Sequence, residues 1–144
     1  MMSTAPPDRT RAAQIRAALE TDRTIDITTI GRKSGQPRRI EMAFHRLDDA
    51  IYLTGTPGKR DWYAKLFAHP DFTFHLKRSV TADLPARATP VTDPATRRAI
   101  LARILERDRP DRAKDLDTWV EQRPLVAVTF PTFPTLSALP ATRR

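Results

Sequence analysis

The chain contains no cysteine and only four glycines, three histidines, two tryptophans and two tyrosines among 144 residues. The first absence excludes disulfides, thiolate metal sites and a cysteine nucleophile. No apolar run approaches the length of a membrane span. Met1 to Arg9 lack the apolar stretch of a secretory signal, so a cytoplasmic location is expected. His45, His69 and His75 show no metal-ligand spacing and no acidic partner in sequence, and read as structural or surface residues. Ser34, Ser79 and Ser137 lack a nucleophile-elbow context. Asp48-Asp49 and Asp108, Asp111, Asp115 and Asp117 read as turn and helix-surface acids, not as a catalytic carboxylate pair. With no metal set and no protein-only catalytic set, an enzyme built on this chain would take its chemistry from a cofactor.

What the chain does have is positive charge: 25 lysines and arginines against 17 acids, a formal charge of +8. An anionic partner is expected. No zinc-finger spacing or array of stacking aromatics accompanies the charge, so nucleic acid is not expected. Arg97, Arg98, Arg103, Arg107, Arg109 and Arg112 fall in predicted helices and loops and read as a solvated face. A narrow apolar face on the first helix argues against membrane insertion.

Hydrophobic content of 40% and charged content of 29% fit one globular core. Arg11 to Glu20 is predicted to be a short helix with Ile15 and Leu19 on one face. Period-2 alternation predicts strands around Ile25–Thr29, Arg39–His45, Ile51–Thr54, Phe72–Lys77 and Val80–Val91, and an apolar run predicts a buried one at Leu125–Phe130. Pro85 inside the fifth implies an edge or a bulge. Helices are predicted from Asp61 to His69, from the Asp93-Pro94 start to about Arg107 with Ile100, Leu101, Ile104 and Leu105 inward, and from Ala113 to Gln122. The expected fold is α+β, mainly β: six antiparallel strands in a small barrel with peripheral helices. Residues 24–130 would form the barrel domain, 1–23 an N-terminal segment with its helix, and 131–144 an irregular proline-rich tail.

Two stretches carry candidate chemistry. Gly31 to Arg39 packs four cations, two glycines and a proline into a turn between two strands. Arg32, Lys33, the Ser34 hydroxyl, Arg38 and backbone N–H groups would there seat a phosphate or carboxylates. A solvated hairpin whose cations discourage edge pairing is the other reading of that turn. The second stretch, Thr56-Pro57-Gly58-Lys59-Arg60-Asp61-Trp62, leads into a helix N-terminus, with Lys59 and Arg60 for a phosphate and Trp62 for a ring system. Alternatively Trp62 and Tyr63 anchor the helix to the barrel and Asp61 merely caps it.

Thr28 to Arg38 resembles the signature of the deazaflavin-dependent nitroreductase family, and Gly58 through Pro70 and Trp119 through Pro124 are similar to its later patterns. The resemblance covers roughly residues 24–130 and implies a six-stranded split β-barrel related to flavin-binding barrels. It implies coenzyme F-420 as cofactor, with its phosphate and poly-γ-glutamate tail. Arg32, Lys33, Ser34, Gln36, Pro37 and Arg38 would line the tail and phosphate groove. Thr54, Thr56 and Gly58 would approach the ring and phosphate, with Asp61 and Trp62 where the helix starts. Thr56 is the candidate catalytic residue, a hydroxyl near the hydride-transfer site. The implied activity is hydride transfer from reduced F-420 to an electron-poor organic acceptor such as a quinone. The sequence departs from the family pattern at Pro57 and Lys65, and Ile104 to Val120 holds no tyrosine. Lys65 and the missing tyrosines favour the alternative of a non-catalytic deazaflavin carrier or sensor; an FMN-dependent barrel oxidoreductase is the other alternative. Exposed apolar positions would allow a homodimer.

Overall fold

The structure, a computed structural model, describes residues 7–31, 33–55 and 61–131. Helix α1 (Pro7–Thr21) buries Ile15, Ala18 and Leu19 against the sheet, as its i,i+4 pair predicts. Strands β1 (Thr24–Ile30), β2 (Pro37–Ala43), β3 (His45–Leu47) and β4 (Ala50–Thr54) follow, then α2 (Asp61–Ala68), β5 (Asp71–Leu76) and β6 (Ala82–Pro90). Helix α3 (Pro94–Asp108), a 3-10 turn (Pro110–Asp115), α4 (Leu116–Gln122) and β7 (Leu125–Thr129) complete the order. Among the described residues no helix is long and apolar enough to cross a membrane.

The described strands number seven, not six, in one antiparallel sheet ordered β2-β1-β5-β6-β7-β4-β3. The difference arises at Phe44. Alternation runs unbroken from Arg39 to His45 in the sequence, yet the chain changes neighbours there. Pro37 to Ala43 pairs with β1, whereas His45 to Leu47 pairs with β4 across a turn in which Asp48 has φ 56°. The Phe44 N–H donates to the Arg23 carbonyl at 3.0 Å, and its side chain is driven inward to 1% exposure. Strands β2 and β3 are thus the two edges of the sheet joined through a single residue. A sheet whose edges are so joined has to curl, and it forms a half-barrel. Phe44, Phe74 and Phe130 fill its inside with edge-to-face contacts at 5.4 and 5.1 Å. Pro85 lies where β6 has only β5 beside it, since β7 pairs with β6 from Arg87 onward, so a locally open edge spares its missing N–H.

Helix α3 begins as expected: the Asp93 carboxylate accepts the Thr96 N–H at 2.9 Å and Pro94 follows it. Leu101, Ile104 and Leu105 pack with Trp119, Leu47 and Leu125 in a second apolar cluster. Arg97 departs from the solvated face expected of it. Only 9% exposed, it donates to the carbonyls of Val91, Val120 and Arg123 at 2.5–3.0 Å. It precedes Leu101 by four residues and Ile104 by seven, so the helical period carries it into the packed stripe. His45 and His75 gain acidic partners from the fold. His45 Nδ1 lies 2.7 Å from Asp108 at the end of α3, and His75 Nδ1 lies 2.7 Å from Asp83 on the neighbouring strand.

Candidate functional site

Strand β2 decides which cations reach the site. Its inward residues Ile40 and Met42 pack against the core opposite Ile27 and Ile25. Arg38 continues the same face opposite buried Thr29, past the end of the core, and so lines a cleft. Arg39 points to the other face, where its Nε donates to Asp26 at 2.8 Å. Lys77 Nζ grips the second Asp26 oxygen at 2.7 Å and also reaches Glu41. Hydrogen bonds from Lys77 and Arg39 hold the Asp26 carboxyl below its usual range.

The turn between β1 and β2 is stapled from within. Gly31 N–H donates to the Gln36 carbonyl at 2.9 Å, Gly35 N–H to the Gly31 carbonyl at 3.1 Å, and Gln36 N–H to Ser34 Oγ at 3.1 Å. Gly35 adopts φ 69°, the left-handed region in which glycine is unstrained. Gly31 is needed for space: a Cβ there would stand 2.5 Å from Ser34 Oγ. Three backbone N–H groups expected to seat an anion are therefore already engaged. The turn also offers side chains, including the Ser34 hydroxyl proton.

Across from the turn stands α2. Its Asp61, Ala64 and Lys65 form the second wall of a cleft of ≈ 560 Å3 whose first wall is Gly31, Lys33, Ser34, Gln36, Pro37 and Arg38. The two stretches singled out in the sequence thus meet in one groove. Lys33, Arg38 and Lys65 have no carboxylate within ion-pair distance among the described residues, whereas Arg39, Arg46, Lys77, Arg78, Arg87, Arg98, Arg103, Arg109 and Arg112 all do. Lys65 was noted in the sequence only as a departure from a pattern. Its place one helical turn after Asp61 sets it on the same cleft wall.

Two candidates lie elsewhere. Thr54 is 8% exposed, and its hydroxyl donates to the Pro124 carbonyl at 2.7 Å. Trp62 is 9% exposed and packs into the core, its indole so close to Gly55 that a Cβ there would lie 3.1 Å from the ring. Arg32, Thr56, Gly58, Lys59 and Arg60 lie outside the described residues.

A curled antiparallel sheet flanked by helices, with a cation-lined cleft at its mouth, defines a small cofactor-binding fold of the half-barrel type. The chain belongs to the F420H(2)-dependent quinone reductase family, which it matches over residues 5–130. Among solved structures it is similar to the conserved hypothetical protein Rv2991 of Mycobacterium tuberculosis, at 23% identity and TM-score 0.65, over 91% of this chain and 82% of that one. It is also similar to a FAD-binding protein of Mesorhizobium loti (18%, TM-score 0.53, 83% and 87% covered) and to an F420 reductase (18%, TM-score 0.55, 80% and 91% covered). These likenesses establish the fold. No curated protein sequence matches the chain significantly. The family is one of oxidoreductases whose cofactor is coenzyme F-420. The donor set fits that group: cations on both walls of the cleft, unpaired among the described residues, would suit a ligand that carries a phosphate and a row of carboxylates.

Proposed function

We propose that the protein is an oxidoreductase that binds reduced F-420 in this cleft and passes its hydride to an electron-poor organic acceptor such as a quinone. The supporting observation is the convergence of Lys33, Arg38 and Lys65 on one groove without partners among the described residues. When bound, the deazaflavin supplies the hydride. Everything else falls to the chain. Lys33 and Arg38 hold anionic groups against the turn, with Arg38 able to grip a carboxylate or phosphate through its planar fork. The Ser34 hydroxyl, whose oxygen accepts the Gln36 N–H, keeps its proton to donate into the cleft. Asp61 faces the same space and repels misplaced anionic groups, biasing the register of a polyanionic tail. Burial of Trp62 and Leu66 fixes α2, and with it the position of Lys65 relative to the turn. Thr56 is proposed as the hydroxyl near the reacting ring.

A fluorescence titration with F-420, FMN and a nicotinamide cofactor side by side tests the assignment. F-420 is expected to bind tightest, and Lys33→Ala and Arg38→Ala to weaken it. Unchanged affinity in both variants, or a preference for FMN, would overturn the assignment. Single-turnover oxidation of bound reduced cofactor by a panel of quinones separates an enzyme from a carrier, since a carrier gives no acceleration over free solution.

A further inference from the structure

Helix α2 has a second flank. Asp61, Ala64 and Lys65 face the cleft and Trp62 and Leu66 face the core, while Tyr63 turns to the opposite side. There it borders a separate pocket of ≈ 260 Å3 with Val91, Arg97, Glu121, Gln122, Arg123 and Pro124 among its walls.

Two guanidiniums and one carboxylate, that of Glu121, border the pocket, so its net charge is positive. Arg97 spends its donors on backbone carbonyls, which satisfy its hydrogen bonds without an ion pair. Arg123 donates through Nη1 to the Gly55 carbonyl at 3.0 Å and lies over the Trp119 ring at 3.7 Å. Its Nε is buried and has no hydrogen-bond partner. Among the described residues neither guanidinium has a carboxylate within ion-pair distance. A buried N–H without an acceptor is unfavourable, and the fork formed by Nε and Nη2 is shaped for two oxygens of one planar anion. Burial, then repulsion from Arg112 and Arg109, lowers the Arg123 pKa against a smaller opposing pull from Asp115.

We infer that this pocket is a binding site for a small carboxylate with an apolar or aromatic body, its carboxylate on the Arg123 fork and its body against Tyr63, Val91 and Pro124. The site stands apart from the cleft, on the other side of α2, and does not rest on the F-420 assignment.

Ligand-observed saturation-transfer NMR with benzoate on the wild-type protein tests the inference. Benzoate is expected to give saturation transfer, and benzamide, its uncharged counterpart of equal shape, to give at least tenfold less. Arg123→Lys, which keeps a charge and removes the fork, should abolish the benzoate signal, and so should Arg123→Gln, with circular dichroism confirming that each variant is folded. Tyr63→Phe, which keeps the ring, should retain it. Inorganic phosphate should displace benzoate only weakly. Equal signals from benzoate and benzamide, a full signal in folded Arg123→Lys, or stronger binding of phosphate than of benzoate would each overturn the proposal.

Discussion

Arg38 and Arg39 are adjacent, equally charged and both exposed, yet they should fail in opposite assays when replaced by alanine. Pleating sends Arg38 to the cleft face of β2, opposite Thr29, and Arg39 to the far face, opposite Thr28 and bonded to Asp26. An arginine about 4 Å from a bound anion gains about 1 kcal/mol in a water-like medium and about 4 kcal/mol at the effective dielectric of a protein surface. The cleft is open to solvent, so about 1–2 kcal/mol is expected for Arg38→Ala, or a roughly 5- to 30-fold rise in Kd for F-420. Its stability should not change, because among the described residues Arg38 has no ion-pair partner to lose. Arg39→Ala removes an ion pair whose arginine is 53% exposed, worth about 0.2–1 kcal/mol in folding, and should leave Kd nearly unaltered. Fluorescence titration gives the first quantity and urea unfolding the second. Raising the salt to about 1 M, where the screening length is about 3 Å, should erase most of the Arg38 effect. If the two variants weaken F-420 equally, or Arg38→Ala is the less stable of the pair, the assignment of faces is wrong.

The other expectations concern the turn, the buried arginine and pH. Gly31→Ala should weaken F-420 binding several-fold, since its methyl displaces Ser34 Oγ and breaks the bond from Gln36 N–H; in a Ser34→Ala background the same change should cost almost nothing more, which a double-mutant cycle of titrations measures. Arg97→Met strands three carbonyls and should destabilise by about 3–5 kcal/mol in urea unfolding, and a loss below about 1 kcal/mol would refute its role as a tie. For Asp26 the folded pKa is depressed by Lys77 and Arg39, so its stabilisation is complete above the unfolded value of about 4 and is lost as pH falls through the folded value. Wild type should therefore exceed Asp26→Asn in stability at pH 7, by no more than about 1 kcal/mol, and the two should converge as the pH drops below about 4, followed by thermal unfolding.

Much of this was legible from residue order. The Asp93-Pro94 helix start, the Ile15/Leu19 face and the two candidate stretches could be read from spacing and composition, because each depends on neighbours within a few residues, while the family came from the resemblance of Thr28 to Arg38 to a known signature. What escaped depends on partners far along the chain. Nothing near Phe44 marks the break in the second strand; it is set by the Arg23 carbonyl and by the change of neighbour from β1 to β4. Arg97 was hidden among six arginines of one region, although its spacing from Leu101 and Ile104 was a signal that charge alone obscured. Asp108 closes the same stripe four residues past Ile104, and there it meets His45. In the turn, glycine content promised open N–H donors, whereas the hydrogen bonds that close so tight a loop consume three of them, including those of both glycines.

The consequence is a different division of labour from the one that composition implies. A turn rich in glycine and cations suggests that backbone and side chains share the binding of an anion. Here three of the turn's N–H groups, those of Gly31, Gly35 and Gln36, are spent on holding its own shape, and the proposed recognition falls chiefly to the ends of Lys33 and Arg38 and to Lys65 across the groove. Such a site owes its affinity to charge and its geometry to the stapled turn, so the two can be separated by experiment. Salt should act on the first without touching the second, and a methyl at Gly31 should act on the second without removing a charge. The same separation explains why α2 matters although it is only eight residues long. Its apolar residues lock it in place, and that locked position sets Lys65 on the wall of the cleft opposite the turn.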